Sequence, residues 1–122
     1  MAKTKAVKKE ESTVSNREEK SWGWIETIQE GEKHKVRRIF IEKGKFITTQ
    51  SHEQKDLHWV VLSGFGNFKL EDIERFIGIG AHISIPKKQK YSIFATKDLE
   101  FIEVQMGVCD DKDVKKFGDS ED

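Results

Sequence analysis

Gln50-Ser51-His52-Glu53-Gln54-Lys55-Asp56-Leu57-His58-Trp59-Val60-Val61-Leu62-Ser63-Gly64 is the run on which the reading of this chain turns. Its second half, His58 to Ser63, is apolar nearly throughout, the pattern of a strand covered on both faces, and Gly64-Phe65-Gly66 then breaks it. Side chains alternate along a strand, so His58 faces opposite to Leu57. A hydrogen-bonded or interface role is therefore expected for His58 rather than a ligand's.

Short strands extend outward from this run on both sides. Val36 to Ile41 is rich in β-branched residues and ends at the turn-like Glu42-Lys43-Gly44, and Phe46 to Thr49 forms a second run. Phe68 and Leu70 alternate with charge, and Phe76 to Ile79 follows, with Gly78 and Gly80 bracketing a bend. Ile83-Ser84-Ile85 leads into Pro86, the only proline, placed to end a strand rather than interrupt one. Tyr91 to Ala95 and Leu99 to Val104 complete the set. Many short strands at regular spacing with glycine-rich turns predict an all-β sandwich or jelly-roll barrel. A trace of helical periodicity over Asp111 to Phe117 adds the expectation of a short C-terminal helix, and Leu70 to Phe76 is ambiguous.

The chain has 122 residues, enough for one domain, and 36% of them are charged. Residues 1–20 hold no large apolar side chain beyond two valines and Met1, so this segment reads as a flexible charged arm. The domain is expected over 21–119, with an acidic tail at 120–122. A core of about 90 residues buries a modest fraction of its surface, so pairing with a second copy into a homodimer is expected.

The formal net charge is zero and no strongly basic stripe is present, which argues against a nucleic-acid partner. The cluster Lys87-Lys88-Gln89-Lys90 is read as a solvated loop. No leader pattern or apolar run of membrane length is present, so a cytoplasmic protein without a membrane partner is expected. Cys109 is the single cysteine, and is expected to be inert.

Five motifs carry a family resemblance. They are Trp22-Gly23, the stretch Gly31 to Ile39 (Gly-Glu-Lys-His-Lys-Val-Arg-Arg-Ile), the run Gln50 to Gly64, Ile85-Pro86, and Ile102-Glu103-Val104-Gln105-Met106-Gly107. Together they resemble the carboxy-terminal cupin domain of the type II phosphomannose isomerase/mannose-1-phosphate guanylyltransferase family, from Trp22 to about Asp119. The resemblance implies a cupin double-stranded β-helix, a sugar-phosphate substrate and, as the family norm, a divalent metal. No counterpart of the family's nucleotidyltransferase domain is found in this sequence, so guanylyl transfer is not expected of it.

The departures from the family pattern fall on its metal site. His52 keeps the first ligand position, while Gln54, Leu57 and Tyr91 stand where a histidine, a glutamate and a last histidine would be. Lys55 replaces an arginine. One imidazole cannot make the three- or four-membered donor set that a transition metal needs, so no metal cofactor is expected. His34 and His82 are read as solvated.

What remains is a barrel mouth of His52, Gln54, Trp59 and Tyr91, with Lys35, Arg37, Lys55 and Lys90 as cations for a phosphate and Glu103 as a further polar group. That combination suits a sugar or sugar phosphate bound without metal-dependent catalysis. A hydrogen bond between His52 and Tyr91 across the former metal position is predicted. Two alternatives stand beside this reading. One is an active mannose-6-phosphate isomerase, or related sugar isomerase or epimerase, with His52 and Glu103 as bases and Lys90 or Tyr91 as electrophile. The other is a dimeric interaction module.

Overall fold

The computed structural model describes residues 16–117. Eleven strands make up its regular structure, and no helix occurs among the described residues. They are β1 (Asn16–Lys20), β2 (Gly23–Glu30), β3 (His34–Ile41), β4 (Phe46–Ser51), β5 (Lys55–Ser63), β6 (Phe65–Leu70), β7 (Ile73–Gly78), β8 (His82–Ile85), β9 (Tyr91–Ala95), β10 (Leu99–Gly107) and β11 (Lys115–Lys116). They form two antiparallel sheets, one ordered β1-β2-β3-β10-β5-β8 and the other β11-β4-β9-β6-β7. This is the all-β jelly roll expected of the sequence.

The core follows from alternation. In β5 the inward residues are Lys55, Leu57, Trp59 and Val61; in β10 they are Leu99, Phe101, Glu103 and Gln105. From the facing sheet, Tyr91, Ile93 and Ala95 of β9 and Phe68 of β6 meet them. Trp59 sits at the centre, its ring centroid 4.2 Å from Phe101, 5.5 Å from Phe68 and 5.6 Å from Tyr91. Aromatic burial on this scale supplies much of the core's apolar area. At the open end of the same layer the inward residues turn polar, which places the site.

Three expectations are corrected. The strand β5 is not covered on both faces: its burial alternates, and Val60 and Leu62 are 38% and 41% exposed. Within the segment read as a flexible arm, Asn16–Lys20 is a strand, paired with β2 from Asn16↔Thr27 to Lys20↔Gly23. Trp22, buried in the turn between them, anchors that hairpin, and the Arg17 guanidinium lies 3.8 Å from the centre of the Trp24 ring. The rest of the arm and the acidic tail lie outside the described residues. Finally, Asp111 to Phe117 is not helical. A turn at 111–112 leads into β11, which pairs with the end of β4 through Lys115↔Ser51 and Lys116↔Gln50. Contacts with β4 outweigh a weak local helical preference there, including a Phe117 N–H donated to the Thr49 carbonyl at 2.8 Å.

Candidate functional site

A cavity of about 270 Å³ opens between the two sheets at the polar end of the core. His52, in the short connection after β4, and Tyr91, the first residue of β9, meet at its wall. The Tyr91 hydroxyl lies 2.7 Å from His52 Nε2, so the predicted hydrogen bond is present. His52 Nδ1 lies 2.7 Å from the Asp113 carbonyl oxygen, which can only accept, so Nδ1 carries the proton and Nε2 accepts from Tyr91. Gln50, on β4, donates its amide to the Tyr91 oxygen at 2.9 Å. The chain of donors thus runs from Gln50 through Tyr91 and His52 and ends on the Asp113 carbonyl.

Burial holds the His52 imidazole below its ordinary pKa, and the nearby Lys55 ammonium adds to the effect, against the raising influence of the Asp113 carbonyl. Burial, then the Glu103 charge, pushes the Tyr91 phenol well above its usual range. Both groups are therefore neutral at pH 7.

A second network lies beneath. Glu103 is 2% exposed and receives four hydrogen bonds. Arg37 gives it Nε and Nη2 at 2.9 and 2.8 Å, Trp59 Nε1 lies at 3.0 Å and Gln105 Nε2 at 2.8 Å. Burial alone would raise the Glu103 carboxyl; the Arg37 charge and these hydrogen bonds outweigh it and hold the group low. It is a committed carboxylate with little freedom to act as a base.

Lys55 differs. It is 3% exposed, its Nζ reaches only Gln105 Oε1 and the Asp110 carbonyl, both at 3.3 Å, and no carboxylate among the described residues lies within ion-pair distance. Burial lowers its pKa, and the Arg37 charge lowers it further. Five cationic side chains (Lys20, Arg37, Lys45, Lys55, Lys116) and three carboxylates (Glu18, Glu103, Asp111) line the cavity, leaving it positive in a chain of zero net charge.

The cavity brings together His52, Trp59, Tyr91, Arg37, Lys55 and Glu103 of the residues singled out from sequence. Gln54, Lys35 and Lys90 lie outside its lining. Gln54 is exposed in a loop whose backbone N–H groups at Glu53 and Gln54 are both capped by the Asp113 carboxylate at 2.9 Å. Lys35 is buried but turned to Asp111 and Glu30, at 2.9 and 3.4 Å. Lys90 is exposed, its Nζ 4.5 Å from the centre of the Phe117 ring. Turned to that ring and outside the cavity lining, it is not placed to serve as an electrophile.

Gln50, Gln105 and Asp113 are site residues that sequence reasoning missed. Gln105 was accessible, because it stands two residues after Glu103 on one strand and so shares its face. His58 is half-buried on the outer face, 3.3 Å from Ser84 Oγ, and His82 is exposed beside it. His34 is half-buried and bonded to Gln29 at 3.2 Å. Cys109 is half-buried, and burial raises its thiol pKa.

Among the described residues, no three of His, Cys, Asp and Glu converge where they could hold a metal ion. At the matched ligand positions, Leu57 is buried hydrocarbon, Gln54 is exposed, and both His52 nitrogens already have hydrogen-bond partners. This donor set does not fit a divalent transition metal. No described helix is long and apolar enough to cross a membrane.

Two sheets closed into a jelly roll, with polar side chains gathered at one mouth, define a cupin. The chain belongs to the mannose-6-phosphate isomerase C-terminal family, whose model matches residues 7–119. A putative mannose-1-phosphate guanylyltransferase of Vibrio cholerae is 36% identical over 107 residues, covering 80% of this chain and 22% of that protein. A mannose-1-phosphate guanylyltransferase of Escherichia coli is 27% identical over 118 residues, 94% of this chain and 25% of that protein. The chain thus spans about a quarter or less of these relatives.

Among solved structures, oxalate decarboxylase of Bacillus subtilis superposes with a TM-score of 0.79 at 12% identity, over 93% of this chain and 33% of that one. The nucleoside dehydratase Pac13 of Streptomyces superposes with a TM-score of 0.77 at 18% identity, over 91% and 92%. At these identities the likeness is one of fold.

Proposed function

We propose that this domain binds a small sugar phosphate in the cavity between its sheets, without a metal. The observation that carries this reading is Lys55, a buried ammonium at the cavity wall with no carboxylate partner among the described residues. A buried unpaired charge is costly, and an anionic ligand group would supply the missing counter-charge. The cavity's net positive lining points the same way. Its volume of about 270 Å³ suits one sugar ring and a phosphate rather than a sugar nucleotide. Trp59, Tyr91 and Trp22 offer aromatic edges, and Gln50 and Gln105 offer amides that can orient hydroxyls. The relatives' names, which refer to mannose 1-phosphate, favour a phosphorylated hexose.

Calorimetric titration tests it. Mannose 6-phosphate and mannose 1-phosphate should bind, and unphosphorylated mannose at least about tenfold more weakly, since a charge-assisted contact contributes on the order of 1.5–3 kcal/mol. Lys55→Met should remove the difference. Equal affinity for mannose and its phosphates, or no heat at millimolar ligand, would discard the proposal.

One observation favours a second reading, a metal-independent sugar isomerase or epimerase. The neutral imidazole has a fixed tautomer beside the cavity, and its Nε2 lone pair becomes available for proton abstraction when a substrate oxygen takes the Tyr91 O–H that Nε2 accepts in this structure. Glu103 and Lys90 have no part in it. Conversion of mannose 6-phosphate to fructose 6-phosphate that survives a chelator and vanishes in His52→Gln would decide in its favour.

A further inference from the structure

The five-stranded sheet carries a second cleft, on its outward face. Between Ile47 and Gln50 the pairing of β4 with β9 slips: Ile47 is opposite Ile93 and Gln50 opposite Tyr91, so Thr48 and Thr49 together face Ser92. A bulge of this kind disrupts the ladder and re-aims side chains. A cleft of about 310 Å³ opens beside it. Phe46, Ile47 and Thr48 line both this cleft and the cavity between the sheets, so β4 is the wall that separates them.

Register sorts the outward side chains into two rows. Phe46 is opposite Phe94 and Phe94 opposite Asn67, an aromatic row that Asn67 carries on to Phe76. Phe46 and Phe94 are 50% and 42% exposed. Two residues away along the strands, Ser92 is opposite Lys69 and Lys69 opposite Glu74, which makes a polar row. At about 3.4 Å per residue the rows lie about 7 Å apart. Among the described residues, the side chains of Thr49, Asn67, Lys69, Glu74 and Ser92 have no hydrogen-bond or ion-pair partner, and Thr49, Asn67 and Ser92 are half-buried. Polar groups drawn partly out of water are ordinarily satisfied within the protein. Here they converge on one cleft with their donors and acceptors unspent.

We infer that this cleft binds a neutral sugar ring of the pyranose class, at a site separate from the cavity between the sheets. A pyranose has C–H groups on its faces, which pack on aromatic rings, and hydroxyls around its edge, which both donate and accept. The aromatic row and the polar row beside it complement those two parts. Charge selects a neutral ligand. Lys69 is the one cation in the lining and Glu74 stands opposite it, so a phosphate finds no excess of positive charge and a nucleic-acid strand no cationic track. A wholly apolar partner would strand the polar row. The inference does not rest on the ligand proposed for the inner cavity.

Titration of the ¹⁵N-labelled full chain with the methyl α-pyranosides of glucose, mannose and galactose tests it. For at least one of them, the backbone amides of Thr49, Lys69 and Ser92 and the side-chain amide of Asn67 should shift and saturate at millimolar sugar. Cyclohexanemethanol, a ring without the ring hydroxyls, should shift them far less. Phe94→Ala and Asn67→Ala should each weaken binding about fivefold or more, the first by lost packing and the second by lost hydrogen bonds. Asn67→Ala leaves the aromatic row in place, and the amide spectrum of each variant reports whether the sheet is folded. Leu62→Ala, at an exposed position on the other sheet, should bind as the unaltered chain does. No saturable shift with any of the pyranosides, shifts confined to inner-cavity residues such as His52 and Gln105, an equal response to cyclohexanemethanol, tighter binding of uridine than of any pyranoside, or unchanged affinity in folded Phe94→Ala and Asn67→Ala would overturn the inference.

Discussion

The Tyr91 hydroxyl donates to His52 Nε2 at 2.7 Å and receives the Gln50 amide at 2.9 Å, so one buried oxygen joins the end of β4 to the start of β9. Tyr91→Phe removes that oxygen and leaves an imidazole nitrogen and an amide N–H without partners. An unsatisfied buried polar group costs about 1–3 kcal/mol, so urea denaturation should show a loss of about 2 kcal/mol. A loss under about 0.5 kcal/mol would mean that water takes over the vacated position.

The protonation of His52 and Glu103 fixes the sign of the pH dependence. Both groups have folded-state pKa values below their ordinary ones, so the unfolded chain binds more protons as pH falls and stability falls with it. The His52 contribution is full above about pH 6.5 and is lost as pH falls through its lowered folded value. The Glu103 contribution is full above about pH 4.3 and is lost below that. Unfolding free energy measured from pH 8 downward should therefore decline in two stages. His52→Gln should flatten only the first.

Since both His52 nitrogens have hydrogen-bond partners and Leu57 and Gln54 offer no second donor to the cavity, excess chelator should leave the melting temperature unchanged. Added zinc should not raise it either. A zinc-dependent rise that disappears in His52→Gln would show a ligand set built around this imidazole.

Much of the fold is legible in the chain because its signal is local alternation. Tyr91 to Ala95 is a strand of those bounds, and Leu99 to Val104 and Val36 to Ile41 lie within longer ones. What could not be read depends on distant partners. The 111–117 segment is held extended by pairing with β4, and Asp113 caps Glu53 and Gln54, some sixty residues away in sequence; nothing near Asp113 announces either. The motif position of Gln54 and the charge of Lys90 point to the site, but a capped loop and the Phe117 ring hold them outside the cavity lining. Lys55 lines the cavity because it shares a strand face with Leu57 and Trp59. That no carboxylate among the described residues reaches Lys55 is a property of three-dimensional packing alone.

Glu103 and Arg37 form the buried ion pair beneath the cavity. Glu103→Gln keeps an oxygen for Trp59 but leaves the Arg37 guanidinium, 19% exposed, beside the Lys55 ammonium without its counter-charge. Breaking such a pair costs about 3–5 kcal/mol, so chemical denaturation should show a loss near the lower figure. Replacing Arg37 by Met in the same variant should recover part of it, because the second change removes the stranded charge. Additive losses in the double variant would mean that the two side chains are not coupled.

Gly64 closes the run that decides the fold, and its conformation can be tested against another glycine. Its φ is 89°, and a Cβ there would lie 1.9 Å from the carbonyl oxygen of Asp98, the residue just before β10. Gly44 has nearly the same backbone, φ 85°, with no atom within 4 Å of a Cβ position. Both substitutions to Ala carry the left-handed backbone cost of about 1–2 kcal/mol. Only Gly64→Ala also forces two backbone segments apart, and it should lose at least about 3 kcal/mol against about 1 kcal/mol for Gly44→Ala. Guanidinium denaturation of the two variants measures the difference. Equal losses would show that the β5–β6 turn can shift away from Asp98 at little cost.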